Sequence, residues 1–268
     1  MASDREKIDY LNEIVRTRGY AHGSHRLLAN HDLEVLKVVN DVTLANYIPK
    51  RSLSPIEKEL LLVGSFTALH SQPAIIRAHI QKSLKAGADL RQSLAVVELT
   101  LLEVGRTAFD SALGAWAEVA GAVEPSRLSQ PSRTTPLNRP MNAPSKDATM
   151  TANVLDQHDP DVGMAVGQLA SVIDRDSRGL DARTREIVMT IVLICVRAAE
   201  GRIEAQMRRA LAAGASERDL LEAIELIITP AGLPIFDAGL TIWARVTGAK
   251  PLVPEIDAPH SRSPATRA

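Results

Sequence analysis

The chain has 268 residues, of which 45% are hydrophobic, 24% charged and only 3% aromatic. Lys and Arg (31) nearly cancel Asp and Glu (32), so no global basic field draws the protein to nucleic acid or an anionic membrane, and so few aromatic rings argue against base-stacking platforms. One cysteine, Cys195, excludes an internal disulfide, a CxxC redox pair and a thiolate zinc site.

The opening MASDREKIDYLNE is charged from residue 4, and no signal-peptide apolar region follows it. The most apolar run, 187–196, is shorter than the roughly 20 residues that span a bilayer. A soluble, cytoplasmic protein is expected. Two helices are predicted over about 5–17 and 23–47. Ser54, Pro55 and Glu57 then form a helix start, with apolar positions 56, 60, 63 and 67 at helical spacing. Pro73 opens the next helix and Gly87 closes it. Asp89 caps a third, Gly105 breaks it, and a fourth runs over about 107–119. Residues 124–150 carry five prolines among Ser, Thr and Asn, and read as an extended linker. Beyond it Asp181 caps, Gly214 stops, Ser216 caps with Asp219 three residues on, and Gly232 breaks. The tail from 251 has four prolines and is expected to be flexible. No stretch alternates at period two, so the class is all-α.

The second half echoes the first. Shifted by 127 residues, 53–122 and 180–249 are identical without a gap at 21 of 70 positions, including Glu59 with Glu186, Gly105 with Gly232 and Trp116 with Trp243. Shared Ala and Leu richness gives only a few such matches, so the chain reads as a tandem duplication. The expected organisation is a first repeat over 1–123, the linker over 124–150, a second repeat over 151–250 and a tail.

Each repeat presents short motifs in a fixed order. The first has Lys58-Glu59-Leu60, Arg77-Ala78-His79 and Leu84-Lys85-Ala86-Gly87-Ala88. The second has Arg185-Glu186-Ile187, the run from Ala210 to Ala215, Leu221-Glu222-Ala223 and Gly232-Leu233-Pro234. This order resembles the carboxymuconolactone decarboxylase family, whose relatives include the AhpD-type alkylhydroperoxidases. The resemblance implies an AhpD-like helical unit and a homo-oligomer, with a trimer favoured for a duplicated chain. The peroxidase branch carries C-x-x-C-x-x-x-H. Here the two cysteine positions hold Gln72 and Ile75 before His79, and Ala199 and Arg202 before Gln206. Thiol peroxidase chemistry needs an attacking and a resolving thiol, so it is disfavoured.

The decarboxylase branch implies a cofactor-independent lyase acting on a small carboxylated lactone or related acid in aromatic catabolism. By the resemblance, His79 is the acid/base, Glu59 its orienter and Arg77 the carboxylate clamp, with Arg202 and Arg106 as further carboxylate binders. Glu222 is a possible second carboxyl, because the first repeat has Ala95 at that position while the second has lost the histidine. A composite site using both repeats stands beside one working copy with a structural partner. The plainer readings are a buried helix histidine for His79, an inter-helix salt bridge for Glu59 and solvated helix faces for the arginines. His22, His25 and His31 supply three imidazoles but no acidic or thiol ligand at diagnostic spacing, so no metal is expected. No phosphate-binding glycine loop or nucleophile elbow appears. A non-catalytic helical binding or assembly protein is the reading from another class, and another lyase or isomerase on the same fold is a third.

Overall fold

The computed structural model describes residues 2–19, 21, 23–48, 51–121, 160–174 and 179–250. The proline-rich linker, the tail and His22 lie outside the described residues. Among the described residues there are twelve helices and no strand. In chain order they are α1 (Asp4–Arg18), α2 (Gly23–His31), α3 (Leu33–Asn46), α4 (Pro55–Ala68), α5 (Pro73–Ala86), α6 (Leu90–Val119), α7 (Pro160–Asp174), α8 (Ala182–Cys195), α9 (Glu200–Ala212), α10 (Glu217–Leu226), α11 (Ile228–Ala231) and α12 (Leu233–Thr247). None is long and apolar enough to cross a membrane.

Local chemistry accounts for the boundaries. Ser54, Asp89 and Ser216 each accept from the N3 backbone while the N3 side chain accepts from the cap residue, closing three capping boxes. Such caps contribute about 1 kcal/mol each. One boundary differs from the sequence expectation. The predicted helix over 23–47 is two helices, because the Asp32 side chain accepts from Val35 N and starts α3 afresh. Gly105 kinks α6 with φ 74° and ψ 172°, a backbone conformation that a side chain resists.

Positions 127 residues apart share geometry as well as identity. Gly232 has φ 81° and ψ 166°, close to Gly105. Ser54 and Asp181 cap their helices with the same φ of −69° and ψ of 158°. Trp116 Nε1 donates to the Leu90 carbonyl at 3.0 Å, and Trp243 Nε1 to that of Glu217 at 2.9 Å. The left-handed residues His70 and Arg197, with φ of 52° and 55°, end α4 and α8 alike.

Helices α4, α5 and α6 pack as one triangle, α8, α9, α10 and α12 as a second group, and the two groups meet where α4 crosses α8. Gly64 lets them close: a Cβ there would come within 3.3 Å of Val188 Cγ1 and 3.4 Å of Val96 Cγ1. Leu60, Val63, Val96, Ile187, Val188 and Ile191 belong to a single buried cluster drawn from both groups. A separate small cluster, Ile14, Ala29, Leu33 and Leu36, holds α1, α2 and α3 together.

Charged groups also cross the junction. Lys58 Nζ on α4 lies 2.6 Å from Glu222 Oε1 on α10, with both side chains buried. The other carboxylate oxygen of Glu222 accepts from Ser52 N at 2.7 Å and Leu53 N at 3.1 Å. Arg183 on α8 pairs with Glu57 and, at 2.8 Å, with Asp219. A buried ion pair repays its desolvation only when both partners are in place. Glu222→Ala should therefore cost about 3–5 kcal/mol in urea unfolding, because it removes the carboxylate that neutralises the buried Lys58 ammonium and leaves two backbone donors unmatched. A loss below about 1 kcal/mol would show that the junction does not depend on this pair.

Candidate functional site

The face of α5 that carries Ala74, Ala78, Gln81, Lys82 and Lys85 follows the three-and-four spacing of one helical stripe. It forms a wall of a cleft of about 730 Å³. Lys58 and Glu59 of α4 form the floor, Tyr47 and Ile48 just beyond α3 a second wall, and Arg18 and Gly19 at the end of α1 a third. The alanines leave the room that longer side chains on this stripe would take. Five cations line the cleft (Arg18, Lys58, Arg77, Lys82 and Lys85) against the carboxylate of Glu59 in the lining and those of Glu222 and Glu118, which pair with Lys58 and Arg77. This electrostatic balance favours an anionic guest.

Glu59 is gripped from both sides. Its Oε2 is 2.7 Å from His79 Nδ1, and its Oε1 accepts from the Tyr47 hydroxyl. The imidazole stacks on Phe66 with ring centroids 4.8 Å apart. Burial pulls the His79 pKa below its usual 6.5, and the Glu59 hydrogen bond only partly opposes that. At neutral pH the ring is therefore uncharged and donates Nδ1–H to the carboxylate, a tautomer assigned from its partner. Glu59 and Tyr47 line the cleft and His79 stands behind that lining, although Glu59 and His79 are almost equally buried, at 4% and 5% exposed.

Glu222 does not meet His79 directly. It reaches the site through Lys58, whose Nζ also donates to the carbonyls of Asn46 and Tyr47, each at 3.3 Å. Burial alone would raise the Glu222 pKa, but Lys58 and the Leu53 and Ser52 amides outweigh it and hold the carboxyl below its usual value. Arg77 lines the cleft and pairs with Glu118 across its half-exposed rim. Arg106 is not in the lining: it lies on an exposed helix face, 3.1 Å from Asp110. Arg202 is likewise outside the cleft and bridges α9 to Glu103 of α6 at 2.7 Å. Cys195 is buried, and burial pushes its thiol up to about 12. Among the described residues no three of His, Cys, Asp and Glu stand together as metal ligands, and His22 falls outside them.

The second half carries the counterpart of this arrangement without the imidazole. Gln206 Nε2 donates to Glu186 Oε2 at 2.7 Å, with Arg185 and Arg209 close by. Sequence reasoning missed Tyr47, Arg18, Lys58, Lys82 and Lys85. For Lys58 and Lys82 a signal was present, since their equivalents 127 residues on are Arg185 and Arg209, basic in both halves. Tyr47 and Arg18 precede the repeated stretch and left no such trace.

Residues 160–245 match the model of the carboxymuconolactone decarboxylase family. A crystal structure of a candidate gamma-carboxymuconolactone decarboxylase subunit from Burkholderia xenovorans LB400 is similar in fold, with a TM-score of 0.56 at 16% identity over 90% of this chain and 96% of that one. No curated protein sequence matches. The chain thus resembles the carboxymuconolactone decarboxylase family in sequence over 160–245, and most of its length shares the fold of that solved structure.

Proposed function

We propose that the protein is a cofactor-independent lyase of the carboxymuconolactone decarboxylase type, acting on a small carboxylated lactone or a related acid of aromatic catabolism. The observation that supports this is the cleft itself, where cations surround the end of a Tyr47–Glu59–His79 hydrogen-bond chain. Loss of CO2 beside an unsaturated lactone leaves an electron pair that the lactone delocalises onto its oxygen. The protein must then hold the carboxylate, balance the oxyanion and govern one proton. Arg77, Lys82 and Lys85 supply charge along one wall and Arg18 faces them from another. Glu59 faces the bound acid, and His79 acts through Glu59 as a positioning residue by fixing its orientation and charge. Glu222 belongs to the same reading as the anchor of Lys58. A homo-oligomer, with a trimer favoured, completes the proposal, and the exposed apolar residues Leu27, Val38 and Val166 offer surface for it.

A non-catalytic binding protein is the reading to separate from this one, and the sealed position of His79 is what favours it. Carboxylated lactones or small di-acids at about 100 times Kd should stabilise the chain by about 2.7 kcal/mol, and Lys82→Ala should shrink that gain. CO2 release from a 4-carboxymuconolactone-type substrate should accompany the binding. Binding without release would favour the non-catalytic protein, and neither effect would remove the cleft from consideration.

His79→Gln rebuilds at this site the amide–carboxylate contact that Gln206 makes with Glu186. It should keep the fold and substrate affinity yet lower kcat by roughly 10²-fold or more. Turnover equal to wild type would leave His79 a packing residue. The same variant tests the pH dependence of stability. The folded-state pKa of His79 lies below that of the free imidazole, about 6.5, so the unfolded chain takes up this proton first. The His79 contribution to stability is complete above about pH 6.5 and declines as the pH falls below it. Melting temperatures of wild type should therefore fall more steeply than those of His79→Gln below about pH 6.5, and parallel curves would contradict the assignment.

A further inference from the structure

We infer that the Tyr47 hydroxyl hands the proton to the carbon that CO2 leaves behind, with the Lys82 ammonium balancing the phenolate that results. This rests on the reading of the cleft as a decarboxylation site. Tyr47 is fixed at both ends. Lys58 Nζ donates to its backbone carbonyl at 3.3 Å, and its hydroxyl donates to Glu59, which His79 holds in turn at 2.7 Å. Lys82 Nζ lies 5.5 Å from the centroid of the Tyr47 ring, a cation that offsets the Glu59 carboxylate facing the hydroxyl when negative charge forms on the phenol.

The remaining groups fit the task less well. His79 stands behind the cleft lining, and Glu59 already accepts from two donors. Lys58 is committed to Glu222 and two carbonyls. Tyr47 combines a place in the lining, an adjacent cation and a single O–H that exchanges Glu59 for the guest by turning about its own C–O bond. In the step, the bond from the lactone carbon to the departing carboxylate breaks and its electron pair enters the lactone system. The Tyr47 O–H bond breaks as the new C–H bond forms, and the phenolate regains a proton from water. One solvent proton is consumed for each CO2 released.

The test uses the full chain with Tyr47→Phe, which keeps the ring and its packing. Turnover of the carboxylated lactone should fall about 10²- to 10⁴-fold while KM stays within about threefold. In wild type the rate should decline at alkaline pH as the phenol ionises. Incorporation of 3,5-difluorotyrosine at position 47, a more acidic phenol, should move that limb to lower pH, and Lys82→Met should move it higher. The same proton transfer is read without decarboxylation by following exchange of the ring C–H of the product lactone with D2O by NMR, which Tyr47→Phe should abolish. Exchange in wild type that is lost in Tyr47→Phe supports the inference even where no CO2 is released, an outcome that would defeat only the decarboxylase reading. Exchange or turnover within about threefold of wild type in Tyr47→Phe, an alkaline limb unmoved by fluorination, or absence of both reactions in wild type would overturn it.

Discussion

Lys58 and Glu222 stand 2.6 Å apart with their side chains almost wholly removed from water, one on each side of the junction between the two helical groups. Several other contacts hang from this pair. Glu222 collects the amides of Ser52 and Leu53 and so fixes the approach to α4. Lys58 reaches back to the carbonyls of Asn46 and Tyr47 and so fixes the end of α3. Glu59, the next residue after Lys58, faces the cleft and takes the Tyr47 hydroxyl. The cleft is built almost entirely from the first half of the chain, but its floor is anchored by a carboxylate from the second.

That dependence gives the differences between the two halves a physical meaning. Ala95 stands at the position equivalent to Glu222, and Arg185, at the position equivalent to Lys58, pairs with Glu186 beside it in sequence. Gln206 replaces the imidazole there while preserving the 2.7 Å contact to the glutamate. The amide keeps the geometry and gives up the titration. The glutamate contact thus stands both with an ionisable partner and without one, so in both halves it ties two helices together.

Much of the fold was legible because it follows local rules. Ser54, Asp89, Asp181 and Ser216 cap where cap chemistry places them, and Gly105 breaks its helix. The break at Asp32 was missed because an acidic residue inside a long apolar-periodic stretch reads equally well as a solvated helix position, and only its bond to Val35 N decides. The contact between His79 and Glu59 follows from two motif residues on neighbouring helices. The exposure of Arg106 and the bridging of Arg202 to Glu103 do not, because a guanidinium's partner is set by how helices cross rather than by its own neighbours in sequence. Tyr47 was beyond reach for the same reason: its role depends on where the end of α3 lands on α4.

The small apolar cluster that joins α1, α2 and α3 shares no residue with the large one. Arg18 and Gly19, at the end of α1, nevertheless form part of the cleft. Local opening costs only what the opening segment buries, so this wall rests on the small cluster of Ile14, Ala29, Leu33 and Leu36, with Tyr10 and Leu11 packed against it, and on the hydrogen bond from Arg18 to Asn40. The mouth of the site and the main core therefore rest on separate apolar clusters. Substitutions in the small cluster act first on the mouth of the cleft and only indirectly on the main core.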